Sequence, residues 1–136
     1  MRYIVLLLAG LVLAGSCKKK VEQVQMDALM DLITNGQWKV TLFKKGSEDV
    51  TGQFEAYSFQ FKKNEIVDAI KNGMVEKTGT WLGSAMDRTI KSSFGNAAVP
   101  LSLLNGTWLV SKTSTTHVEA SQEVNGQTYL LRLDKL

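Results

Sequence analysis

The sequence predicts an all-β fold, an eight-stranded antiparallel up-and-down barrel preceded by one short helix. Three observations predict it. Eight short strand-like runs follow one another from Trp38 to Leu133, most of them alternating apolar and polar residues, with Asn64 to Ile70 of uncertain phase. Two junctions between runs are Asn-Gly pairs, Asn72-Gly73 and Asn125-Gly126, the strongest short-range hairpin signal. Helical periodicity is confined to a stretch before the first run. Eight short antiparallel strands fit a sandwich or a closed barrel, and closure is the arrangement that leaves no exposed edge.

Composition narrows the class. A chain of 136 residues, 44% hydrophobic and 21% charged, suits one globular domain. One Cys excludes a disulfide framework and any multi-Cys zinc site, and one His excludes the common two-His metal sites.

Residues 1–16 read as a signal peptide. Arg2 supplies the positive start, and Tyr3 to Leu13 an apolar stretch too short to span a bilayer, which takes about 20 residues. Ala14-Gly15-Ser16-Cys17 resembles a bacterial lipobox, in which the thiol is acylated and the chain is cut just before it. Ala14-x-Ser16 also suits an ordinary signal peptidase cutting the same bond without adding lipid. A secreted chain with one cysteine has a use for it, and lipidation of Cys17 is the expectation. Residues 17–23 then form the lipidated Cys and its tether, and 24–136 the folded domain. Lys18-Lys19-Lys20 sit beside the anchor, where each adds about 1 kcal/mol of attraction to an anionic leaflet. Cleavage removes one positive charge, Arg2, from a net +3. The domain beyond the lysine run is near neutral, so nucleic acid is not an expected partner.

Val21 to Thr34 carries the helix. Val21, Val24, Ala28, Leu29, Leu32 and Ile33 follow helical steps, Met26 and Met30 widen the apolar arc, and Asn35-Gly36 stops it. The first strand is Trp38 to Leu42, with Trp38, Val40 and Leu42 on one face. Tyr57 to Phe61 and Asn64 to Ile70 follow. Val75 to Leu82 is the fourth, Gly79 marking a bulge. Thr89 to Phe94 has Ile90, Ser92 and Phe94 inward. Thr107 to Ser111, Thr115 to Glu123 and Thr128 to Leu133 complete the set, Tyr129, Leu131 and Leu133 sharing one face. A near-repeat links the helix end Leu32 to Trp38 with Leu103 to Trp108, where Pro100 opens a short helical turn. Each is an apolar helical end, an Asn-Gly stop and a Gly-x-Trp strand entry. Gly36-x-Trp38 and Gly106-x-Trp108 are therefore expected to fill one barrel end, capped by the helix.

In order along the chain, Gly36-Gln37-Trp38-Lys39-Val40, Tyr57-Ser58-Phe59-Gln60-Phe61, Gly79-Thr80-Trp81 and Leu131-Arg132-Leu133 resemble successive blocks of the small lipocalin-like lipoproteins of Bacteroidota. The resemblance covers about residues 30–136. It implies a calycin-like barrel that is lipid-anchored and binds a small hydrophobic ligand. There is no Thr-Asp-Tyr block, and Arg132 falls on the outward face by alternation.

No catalytic motif is found. Gly83-Ser84 lacks a hydrolase elbow, Glu48-Asp49 lie on a polar turn beside lysines, and no phosphate loop occurs. His117 shares a strand face with Glu119 and reads as an exposed histidine, with a weak metal pair as the alternative. The Asn105-Gly106-Thr107 glycosylation pattern is discounted in a bacterial lipoprotein. The candidate site is the aromatic interior. Tyr57, Phe59, Phe61, Trp81, Phe94 and Tyr129 either fill a core or line a pocket for one apolar ligand. The expected protein is a monomeric, non-enzymatic lipoprotein without cofactor or metal, placed on the outer membrane facing the periplasm. It binds a small hydrophobic ligand or, with a filled barrel, another envelope protein.

Overall fold

The computed structural model describes residues 24–136. The expected signal peptide (residues 1–16), Cys17, the lysine run and Val21 lie outside the described residues. Helix α1 occupies residues 24–34. Nine strands follow: β1 (Trp38–Lys45), β2 (Glu48–Asp49), β3 (Tyr57–Phe61), β4 (Ile66–Lys71), β5 (Met74–Ser84), β6 (Thr89–Ser93), β7 (Gly106–Thr113), β8 (His117–Val124) and β9 (Gln127–Lys135). Short 3-10 turns at Thr51–Phe54 and Leu101–Leu104 interrupt them. All neighbours pair antiparallel in chain order, and β1 pairs back onto β9 to close an eight-stranded up-and-down barrel. The two-residue β2 is an extra hairpin arm on β1. Among the described residues no helix is long and apolar enough to cross a membrane.

The hairpins form where the sequence places them. Asn72 and Gly73 have φ of 50° and 81°, and Asn125 and Gly126 have 51° and 79°, the double left-handed geometry of a type I′ turn. That turn matches the twist of its strands, which fixes the register on both sides.

Three details differ from the sequence reading, the first two through the placement of bulges. The β1–β9 register shifts between Val40 and Leu42, so Thr41 is an extra residue. Beyond it the alternation inverts: Leu42 turns away from the core and Phe43 enters it. Gly79 pairs regularly with Val67, and the β4–β5 irregularity falls at Glu76, between Lys77 and Val75. Val24 and Ala28 of α1 are exposed, while Ile33 is buried and Leu29 and Leu32 lean on the barrel.

The Gly-x-Trp repeat has a common bond. Trp38 Nε1 donates to the Ile33 carbonyl and Trp108 Nε1 to the Leu104 carbonyl, each at 2.9 Å. Each indole thus satisfies a carbonyl at the end of the helical turn before it, where no intrahelical donor is available. The two do not share a barrel end. β1 and β7 are the first and sixth staves of an alternating barrel, so their starts lie at opposite ends. Trp38 fastens α1 to one end and Trp108 fastens the Leu101–Leu104 turn to the other.

Candidate functional site

The aromatic interior comes together as a core. Phe59, Trp81 and Phe94 are almost wholly buried, and Tyr57, Phe61 and Tyr129 are buried as well. The rings interlock in pairs: Phe61 stands edge-on to Trp81 at 5.3 Å, and Phe59 to Phe94 at 6.3 Å. Phe43, which the bulge brings inward, stacks on Phe54 at 5.3 Å and meets Trp108 edge-on at 5.7 Å. What remains is a void of about 40 Å³ bordered by Phe59, Phe61, Phe94, Trp38, Trp108 and other apolar side chains. A water needs about 10–15 Å³ and a drug-sized ligand site about 300–1,000 Å³, so the void is of solvent-molecule size. Trp81, Tyr57 and Tyr129 do not border it.

The two inward glycines of β5 make this packing possible. A Cβ on Gly79 would stand 2.5 Å from the Ser93 carbonyl oxygen and 2.8 Å from the Phe94 ring. One on Gly83 would stand 3.2 Å from Leu29 of α1. The order Gly79-x-Trp81-x-Gly83 thus fits one large side chain between two positions where other elements approach the strand.

At the end of the barrel bearing the Leu101–Leu104 turn, Tyr57 reaches the rim. Its hydroxyl donates to Glu76 Oε2, and Lys71 Nζ lies 5.5 Å from the ring centroid. Burial first, then the hydrogen bond and charge of Glu76, push the phenol up to about 12. An open cleft of about 870 Å³ adjoins it, lined by Glu55, Lys71, Glu76, Lys77, Asn72 and Asn96 among others. Asn105, the discounted glycosylation match, uses its side chain on the backbone of Phe94, accepting from its N–H at 2.6 Å.

His117 is half-buried rather than exposed, and it sits in a network on the outer wall. Its Nδ1 is 2.6 Å from Asp134 Oδ1 and its Nε2 is 3.4 Å from Glu119 Oε2. Arg132 bonds Glu119 through Nε at 3.1 Å, and Thr41 donates to Asp134. The two carboxylates meet opposite ring nitrogens, so they cannot converge on one ion with the imidazole. Among the described residues no group of three His, Cys, Asp or Glu is placed to hold a metal. For Glu119, burial raises the pKa, but hydrogen bonds from His117 and Arg132 and their charges outweigh it, and the net direction is down. For Asp134, burial likewise raises, while hydrogen bonds from Thr41 and His117 and the nearby charges prevail, and the net is again down. A carboxylate depressed in the fold stabilises it above its unfolded pKa, and that contribution is lost as pH falls through the folded value. Urea midpoints are therefore expected to fall from about pH 4.5 downward. The Glu119→Gln/Asp134→Asn variant should show a shallower fall; an unchanged slope would show the network to be energetically silent.

A second cleft, of about 1060 Å³, opens at the α1 end between the helix, the β5–β6 turn and β7. The sequence gives no sign of it, because its lining comes from three separated segments.

No family model matches the chain, and no curated protein does either. Among solved structures, it is similar to the crystal structure of a DUF4847 family protein from Bacteroides vulgatus ATCC 8482. The match has a TM-score of 0.56 at 13% identity and covers 78% of this chain and 96% of that one. What the two share is the fold. The small barrel is thus one that also occurs in a Bacteroides protein, over nearly that protein's whole length.

Proposed function

We propose that the chain is an envelope lipoprotein, anchored through Cys17 on the outer membrane and facing the periplasm, whose filled lipocalin-like barrel serves as a protein-interaction module. The observation that carries the choice of module over ligand carrier is the void of about 40 Å³. An interior ligand would have to displace the side chains that border this void, among them Phe59 and Phe94, whose rings pack on each other. The outer wall offers Leu82 on β5, Leu109 on β7 and Leu130 on β9 as exposed apolar side chains for a partner.

Two experiments test the reading. Cys17→Ala is expected to move the protein from the membrane to the soluble fraction; a mutant that still pellets with membranes overturns the anchor. Mass spectrometry of the purified full chain is expected to find acyl groups on Cys17 and no apolar molecule held in the interior. A stoichiometric ligand that disappears in Ala120→Leu, which fills the void, would restore the ligand-carrier reading.

A further inference from the structure

The cleft at the α1 end has apolar side chains on both walls, interspersed with Gln25, Ser84, Thr89, Ser111 and Thr113, and two cations in its lining. Met26, Leu29 and Leu32 of α1 form one wall, and Met86, Ile90 and Val110 the other. The charged residues that line it are Arg88 and Lys112, both positive. The acidic residues of α1 lie elsewhere: Asp31 pairs with Lys63 at 2.7 Å, and Asp27 adds its charge to the same lysine. Near this cleft, Val24 is 67% exposed and Met86 70% exposed, large apolar side chains turned toward solvent. A partly apolar trough with two cations and no carboxylate in its lining has the chemistry of a site for an acyl chain with an anionic head.

The chain itself says where such a molecule comes from. Residue 24, at the start of α1, is seven residues beyond Cys17. A fully extended chain gains at most about 3.6 Å per residue, so Cys17 lies within about 25 Å of that point. Lys18, Lys19 and Lys20 lie on the connecting stretch and carry the same sign as Arg88 and Lys112. The cleft at the opposite end is lined by Glu55 and Glu76 together with Lys71 and Lys77, and so lacks this single-sign character.

We propose that the α1 end of the barrel lies on the membrane surface, where the cleft receives an acyl chain of an anionic bilayer lipid and Arg88 and Lys112 engage its phosphate. This rests on the anchor at Cys17. It orients the module: the Tyr57 rim and its cleft point away from the bilayer, and the exposed leucines, distributed around the barrel's sides on β5, β7 and β9, stay clear of it.

The test uses the full lipidated chain in vesicles of phosphatidylcholine with one-third phosphatidylglycerol. Spin labels are placed through Met86→Cys or, at the far end, Asn125→Cys, both on exposed turns. The Met86 label should be several-fold more accessible to oxygen relative to a water-soluble nickel complex than the Asn125 label. Arg88→Glu/Lys112→Glu should return the Met86 label to water while the protein stays with the vesicles. Equal accessibility at the two positions overturns the orientation and leaves the anchor standing. Protein that does not float with vesicles overturns the anchor and the orientation together. Dipolar broadening between Met86 labels would mean that a second copy covers the cleft, and it overturns the lipid as occupant.

Discussion

Trp38→Ala is expected to lower the unfolding free energy by about 3–5 kcal/mol, and Trp108→Ala by a similar amount. Trp38 is 0% exposed and Trp108 2% exposed, and each truncation removes an indole from a packed interior. Trp38→Ala also strips the Ile33 carbonyl of its indole donor, and a buried acceptor left without a partner costs about 1–3 kcal/mol, whereas in Trp108→Ala the Leu104 carbonyl keeps the Ser92 hydroxyl. Against a total of about 5–15 kcal/mol for a domain, either change leaves a marginal protein. Trp38→Phe separates the two effects, since it keeps most of the apolar volume and loses the bond. Phe59→Ala belongs in the same range as Trp38→Ala, because its ring lies in a filled core. Urea midpoints at constant m decide the matter. A Phe59→Ala loss far below that of Trp38→Ala would mean that the interior gives way there as a pocket wall does. A negligible loss at Trp38 would mean that the helix is not fastened by it.

Gly79→Ala is the second large effect, and the smallest change in mass that produces one. The added methyl would meet a backbone oxygen at 2.5 Å and the Phe94 ring at 2.8 Å. The Phe94 ring can move only by losing its packing on Phe59, and the Ser93 carbonyl only by displacing the β5–β6 ladder. Overpacking of this kind costs about 1–3 kcal/mol, occasionally more, and the backbone contact places Gly79→Ala at the upper end. Gly52→Ala is the control, since nothing lies within 4 Å of a Cβ at that position. Equal urea midpoints for the two variants would show that the ladder yields freely beside Phe94.

Much of the fold could be read because its signals are local. Strand-like runs located all eight staves, Asn64 to Ile70 without a clear phase, and the two Asn-Gly pairs marked hairpins whose geometry needs both residues at positive φ. The bulges at Thr41 and Glu76 were not legible, because a bulge is a property of two strands and the second lies elsewhere in the chain. The inversion at Thr41 hid Phe43, one of the most buried rings. Gly79 was misread for a related reason: in sequence a strand glycine that breaks the ladder looks the same as one that makes room for a ring. The candidate site was legible as a set of inward aromatics, but whether they enclose space depends on volumes fitted across the barrel. His117 could be put on the outer face with Glu119, but Asp134 belongs to the neighbouring strand and Thr41 to the next.

The barrel is not equally well joined on all sides. β1 runs along β9 for most of its length, but it meets β3 at one position, Trp38 opposite Phe59. Past that point its free side is met by the two-residue β2 arm, opposite Lys44 and Lys45, and by the Thr51–Phe54 turn: the Phe43 N–H donates to Thr51 Oγ1, Val50 N–H donates to the Phe43 carbonyl, and Phe54 stacks on the Phe43 ring. A joint held by a two-residue arm, side chains and a loop can part without unzipping a long ladder, and local openings of low free energy collect at such joints. Slow amide exchange should therefore divide the first strand lengthwise, with N–H groups facing β9 protected to near the global limit. Those facing the turn, the Phe43 amide foremost, would exchange through a smaller excursion: the swinging of one short segment away from an otherwise intact cylinder.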